Sequence, residues 1–203
     1  DNIEKKGNIY APLANPSDHY ITFFSSYLPN LESLIDYHFK NQLIAVEAFT
    51  HGSHTPVDKI PSYERLEFLG DVVLDMIMGE FIYNLDEDDV GLLTYAKQQL
   101  VTNIIFAKIT VKHGLNKMLA HRCDRFDVEN DKYIQYLQLN GDKYVQHKQD
   151  FSGKTPKILS DIFEALIGAI YMDSGKRMDI VFGCFNRLCS FKKIPNKNFL
   201  YLV

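Results

Sequence analysis

No run of apolar residues in this sequence approaches the length of a membrane-crossing helix, and no charged-then-apolar leader opens it. Those absences predict a soluble chain working inside the cell, cytoplasmic or nuclear, with no membrane partner. Cysteine is scarce: Cys123, Cys184 and Cys189 are odd in number and lack metal-ligand spacing, which predicts reduced thiols rather than a disulfide framework. His51 and His54, without a cysteine pattern beside them, make a poor zinc site and read as loop residues. Basic residues are not in excess either. Lys and Arg total 22 against 26 Asp and Glu, a net charge of −4, which is unusual for a stand-alone nucleic-acid binder. There is no internal repeat and no low-complexity tract. The chain opens at Asp1 rather than methionine, so a fragment or processed product is expected.

What is present is an ordinary globular composition. With 203 residues, 46% hydrophobic and 24% charged, the chain is long enough for one sizeable core. Its most informative stretch is Glu64-Arg-Leu-Glu-Phe-Leu-Gly-Asp-Val-Val-Leu-Asp75. Leu66, Leu69, Val73 and Ile77 recur at helical steps with no proline among them, which predicts a helix. Glu64, Glu67 and Asp71 share that spacing and form an acidic stripe. Apolar residues surround the stripe, including Phe68, Val72 and Met76, so the helix is expected to be largely buried. Ionised carboxylates held together in such a place repel one another unless a cation neutralises them. The stretch therefore suggests a metal site.

A second apolar helix, Asp161-Ile-Phe-Glu-Ala-Leu-Ile-Gly-Ala-Ile-Tyr-Met-Asp173, carries Asp161 and Glu164 one turn apart. Gly70 and Gly168 each sit inside a helix, where glycine costs roughly 1 kcal/mol relative to alanine. Close helix–helix approach would explain both, and would bring the acidic pairs together. Carboxylates from two crossing helices offer hard oxygen ligands of the kind magnesium or manganese prefers to zinc. Such a cluster makes the formal charge more negative, and a bound metal would reverse the local field.

Along the chain, residues 1–28 read as an N-terminal segment or linker remnant, with a β-prone run at Tyr20–Phe24. Residues 29–193 form one all-α domain, and 194–203 a C-terminal tail. Helices are predicted from Asn30 to about Phe39, Gln42 to about Phe49, Val90 to about Leu100, Thr102 to Lys112, Asn116 to Ala120, Lys157 to Ser174, and Arg177 to about Ser190. Asp86–Asp89 reads as a solvated loop and helix start. Residues 122–155 lose apolar periodicity and are expected to be a surface insertion holding one helix, Lys132–Leu139.

Glu-Arg-Leu-Glu-Phe-Leu-Gly-Asp at 64–71 resembles the signature of the ribonuclease III family, and residues 161–171 resemble its second catalytic segment. Ala48–Ser53 and Leu100–Asn103 resemble its other short motifs. Within the family, the C-terminal ribonuclease III domain of Dicer-type enzymes is most similar, through His38–Asn41, Ile104–Ala107, Tyr133–Leu137 and Pro156-Lys157. The resemblance implies the endonuclease-domain fold, a helical bundle with a surface insertion. It implies that Glu67, Asp71, Asp161 and Glu164 are catalytic and hold two Mg²⁺ ions, with Mn²⁺ a substitute. Lys157, one helical turn before Asp161, is by that spacing a candidate to stabilise the scissile phosphate. Glu64 would support the site or contact substrate near it, Asn103 would support the site or be purely structural, and Phe68 would enter a pocket of a second ribonuclease III domain. That partner would be intramolecular in a longer chain, or a second copy when isolated. The implied substrate is double-stranded RNA, each domain cutting one strand to leave 5′-phosphates and two-nucleotide 3′ overhangs, as in small-RNA production. Ending at Val203 leaves no room for the customary double-stranded-RNA-binding domain, so most RNA affinity is expected elsewhere. Two rivals compete. A non-catalytic scaffold of the same fold would have lost its acids. A carboxylate-bridged iron protein would carry Glu-x-x-His pairs on its acidic helices, and neither helix supplies one.

Overall fold

The computed structural model describes residues 15–54, 60–84, 88–140, 155–189, 191–193 and 200–202. The chain starts with α1 (Asp18–Thr22), a π-helical turn (Phe23–Tyr27), α2 (Leu28–Ile35) and α3 (Gln42–Ala48). Next come α4 (Glu64–Tyr83), α5 (Val90–Leu100), α6 (Asn103–Lys112) and a 3₁₀ turn (Leu115–Met118). The last helices are α7 (Asp124–Asn140), α8 (Lys157–Asp173) and α9 (Met178–Leu188). The all-α expectation holds, with one addition after the bundle: a short antiparallel ladder of β1 (Phe191–Lys193) and β2 (Leu200–Leu202), Phe191 opposite Leu202. No described helix is long and apolar enough to cross a membrane.

The bundle is built around α8, in which every residue from Ile158 to Ile170 is buried. A helix apolar on all sides is stable only with neighbours all round. The most extensive contacts come from α4, then α6, with α3 and α9 closing the remaining sides. Phe163 of α8 stacks on Phe106 of α6 with centroids 5.1 Å apart. The Thr110 hydroxyl donates to the Leu159 carbonyl at 2.7 Å, so the polar group between α6 and α8 is satisfied. At the far end of α8, Asp173 accepts from the Tyr37 hydroxyl and from the backbone N–H groups of Lys40 and Asn41, all within 2.8 Å. This carboxylate ties the α2–α3 connection to α8.

The glycine expectation is met at the α4–α8 crossing. A Cβ on Gly70 would lie 1.8 Å from the Glu164 carbonyl oxygen, and one on Gly168 would lie 2.2 Å from that of Leu66. Each glycine admits the other helix's backbone. No side chain could substitute without moving a helix.

Helix starts follow side-chain caps. Asn41 accepts from Leu43 N–H, Asp89 from Gly91 and Leu92 N–H, and Thr102 from Ile105 N–H. Asp89 therefore serves as the expected helix start, while Asp86 and Glu87 lie outside the described residues. Four expectations change. Tyr20–Phe24 is helical rather than extended, because the Ser17 side chain caps α1 and Phe23 packs fully buried against Phe49. The helix expected to reach Phe39 stops at Ile35, where Asp36 takes a left-handed conformation (φ 55°) and Glu32 Oε1 accepts from Phe39 N–H. The insertion helix is twice as long as predicted. Its buried seam is a narrow row, Phe126, Asn130, Tyr133 and Leu137, which dense charge on the other faces hides from a periodicity scan. The rest of the expected insertion, residues 141–154, lies outside the described residues.

The fourth correction concerns α4, which is buried along one face only. Leu66, Gly70, Val73, Leu74 and Ile77 face the bundle, whereas Phe68, Val72 and Met76 are 75%, 55% and 59% exposed. These last three are spaced four apart, a straight apolar row that the described residues leave exposed.

Candidate active site

One expected acid from α4 and two from α8 meet beside the glycine crossing. Carboxylate oxygens of Glu67, Asp161 and Glu164 all lie within 4.8 Å of one another. Asp161 and Glu164 are each 7% exposed, so the i, i+3 pair foreseen on α8 sits in the bundle rather than on a solvated face. Lys157, one turn before Asp161, enters the cluster. Its Nζ donates to Glu67 Oε1 at 2.7 Å and to Asp161 Oδ1 at 2.6 Å.

Asp71 stands apart from this tight group. It is exposed on α4 but lines the same open cavity, about 330 Å³, together with Glu64, Glu67, Phe68, Asn103, Lys157 and Glu164. Glu64 is exposed at its rim, accepting from the Ser62 hydroxyl at 2.6 Å. Asn103, first residue of α6, is exposed on another side. The structure thus gathers every expected site residue around one cavity or its buried wall, with three acids in immediate contact range and Asp71 facing them. Tyr63 is a residue the sequence reading passed over. It precedes α4, is buried, and its hydroxyl reaches Asp161 Oδ2 at 3.4 Å, a long and weak hydrogen bond. Only its position next to the acidic helix could have flagged it.

Charge at this place is strained. Burial, then the neighbouring Asp161, Asp71 and Glu67 carboxylates, push Glu164 up to about 8. Burial also raises Asp161, against the opposing hydrogen bond from Lys157. Burial works to strip the proton from Lys157, but its bonds to Asp161 and Glu67 outweigh this and hold it well above the usual lysine range. Tyr63 is raised by burial and by the Asp161 and Glu67 charges. One ammonium thus serves a group of acids that together demand more positive charge than it carries. A divalent ion with oxygen ligands fits that demand, and Glu67, Asp161 and Glu164 are placed to hold it.

Residues 64–175 match the family model of the ribonuclease III domain, and the chain belongs to that family. Its curated relatives include Dicer enzymes. It is 29% identical to endoribonuclease Dcr-1 of Drosophila melanogaster over 93% of this chain and 9% of that protein. It is 36% identical to endoribonuclease Dicer-S of Xenopus laevis over 81% of this chain and 9% of that protein. Endoribonuclease Dicer homolog 2a of rice is 34% identical over 78% of this chain and 11% of its own length. The chain therefore spans about a tenth of these relatives. Among solved structures, a nuclease domain of ribonuclease III from Campylobacter jejuni superposes with a TM-score of 0.60 at 30% identity, covering 79% of this chain and 94% of that one.

Proposed function

We propose that this domain is a metal-dependent endoribonuclease that cuts one strand of double-stranded RNA. The observation that carries the reading is the cluster of half-buried Glu67 with buried Asp161 and Glu164, on two helices locked at a glycine crossing, in a chain of the ribonuclease III family. Glu67, Asp71, Asp161 and Glu164 hold Mg²⁺, or Mn²⁺ in its place, with two ions per site in the active complex. Bound divalent ions supply a water acidic enough to attack at neutral pH and neutralise charge building on the phosphate.

The chain's own residues do the rest. The Gly70–Gly168 contact fixes the separation of the acids, so the ligand set is preorganised rather than assembled by the ion. Lys157 lies where it can follow charge from the carboxylates to the substrate phosphate. Glu64 and Asn103, at the rim of the cavity, orient ligands or touch the RNA. Tyr63 packs behind Asp161, its hydroxyl reaching the carboxylate only weakly. Phe68, Val72 and Met76 form the apolar row that a second ribonuclease III domain covers, Phe68 entering that partner's pocket. One of the Campylobacter jejuni nuclease domains has a region involved in dimer formation. In a Dicer-type protein the partner is the other ribonuclease III domain of the same chain, this one being the C-terminal of the two. The isolated domain pairs with itself. Paired sites then cut opposite strands of an A-form duplex recognised by shape and backbone.

The test is a long RNA duplex, 5′-labelled on each strand in turn, incubated with the purified chain. Cuts in Mg²⁺ or Mn²⁺, absent in chelator, should map two nucleotides apart across the strands and carry 5′-phosphates. A folded, dimeric protein that leaves the duplex intact in both metals would count against catalysis.

A further inference from the structure

A second cavity, larger than the acidic one at about 540 Å³, opens on the other side of Lys157 and Asp161. Its outer wall is α7, which presents Arg125, Phe126, Glu129 and Lys132 to it. Arg125, Glu129 and Lys132 follow one another at steps of four and three, so they form a single stripe. Its inner wall includes His51, from the turn after α3, and the start of α8.

The two cavities differ in charge. Glu64, Glu67, Asp71 and Glu164 line the first, with Lys157 as its one cation among the described residues. Arg125, Lys132 and Lys157 line the second against Glu129 and Asp161. Both of those acids are already engaged, Glu129 by Arg125 Nε at 2.7 Å and Asp161 by Lys157. Lys132 is exposed and makes no such ion pair among the described residues.

His51 is fixed in one tautomer. Its Nδ1 accepts from Ser53 N–H at 2.9 Å and contacts the Ser53 hydroxyl at 2.8 Å; that hydroxyl oxygen in turn accepts from Arg122 N–H at 3.1 Å. With Nδ1 used as an acceptor, the ring proton sits on Nε2, which is a donor. Phe126 holds the ring edge-on at 4.9 Å. The wall therefore offers a fixed ring donor on an aromatic support, with the exposed Lys132 opposite and Arg125 held against Glu129, from which a phosphate would have to draw it.

We infer that this cavity is a phosphate subsite that binds a backbone phosphodiester of the RNA strand next to the one being cut, through Lys132, Arg125 and the His51 ring. The inference rests on the nuclease reading and deepens it, because it gives α7 a substrate-holding role and specifies a contact to phosphate rather than to base. Lys157, common to both cavities, lies between the subsite and the acids. A strand held in the α7 cavity is thereby registered against the acidic one. Contacts of this kind position the substrate without reading sequence.

The experiment measures duplex RNA binding by fluorescence anisotropy in Mg²⁺, on a Glu164→Gln background that keeps the RNA uncut, at several salt concentrations. Lys132→Ala should weaken binding roughly tenfold and lower the slope of log K against log salt by about one. Arg125→Ala should act in the same direction, and Lys132→Arg should restore both affinity and slope. Both changed side chains are exposed, so the fold is not at issue. Equal affinity and slope across these proteins, whether all bind or none does, overturns the subsite. Cleavage by the unsubstituted chain in a parallel reaction judges the nuclease reading separately.

Discussion

Glu164→Gln is expected to lower the single-turnover rate of duplex cleavage by at least about a thousandfold, a loss on the scale of removing one stabilising group from a transition state. The same change should make the metal-free protein more stable at pH 8. Glu164 is pushed up to about 8 when folded, from an ordinary 4.5. The folded state thus keeps a proton that the unfolded state releases as pH rises past 4.5. Its contribution to stability is fully present below about pH 4.5 and is lost as pH approaches 8. Asp161, raised in the same sense by burial, adds to the trend. In chelator, the melting temperature should fall by roughly 6–12 °C between pH 5 and pH 8, assuming about 3 kcal/mol after allowing for shared titration among the acids. In Glu164→Gln most of that slope should vanish, since the amide carries no proton to lose. Scanning calorimetry at several pH values, with chelator and with saturating Mg²⁺, checks it. An unchanged slope in the variant would mean that Glu164 is not the group under strain.

Gly70→Ala should be the most disruptive small substitution in the chain. The new methyl would sit 1.8 Å from the Glu164 carbonyl oxygen and 2.6 Å from its carbon. Both are backbone atoms of a fully packed helix, so neither can rotate away. The α4–α8 distance must grow, at a cost of about 3 kcal/mol or more, or roughly 6–12 °C in melting temperature for a domain of this size. Because Glu67 and Asp161 sit on either side of the same crossing, metal affinity should fall with stability. Gly79→Ala is the internal control. It lies in the same helix with nothing within 4 Å of its added methyl. That change should be neutral or stabilise by up to about 1 kcal/mol through helix propensity.

The centre of this structure was legible in the sequence because its determinants are contiguous. Acids, apolar rows and a glycine all fall within 64–75, and again within 161–173, so local periodicity could place them. The glycines even announced the crossing. What periodicity could not supply was which face of α4 would be covered. Phe68, Val72 and Met76 are as apolar as Leu66 and Ile77, and only the packing of α8 on one side separates them. The same limit applies to Tyr20–Phe24, whose aromatic residues favour strands until Phe23 finds Phe49. It applies to α7, whose seam is a single row within a charged helix. Lys157 was a candidate phosphate contact on spacing from Asp161, but its simultaneous bond to Glu67 depends on the tertiary crossing. His51 read as a loop residue. Its fixed tautomer and its neighbours across the α7 cavity come from Ser53, Arg122 and Phe126, which no local pattern links to it.

Manganese titration followed by electron paramagnetic resonance, at pH 7.5 and without RNA, asks most directly whether this acid cluster is a metal centre. Saturable Mn²⁺ binding should be present in the unsubstituted chain, displaced by Mg²⁺, accompanied by proton release measurable by calorimetry in two buffers, and lost or weakened at least tenfold in Glu164→Gln. Binding that is absent, or equally strong in the variant, would mean that Glu67, Asp161 and Glu164 are gathered for some purpose other than holding a catalytic ion.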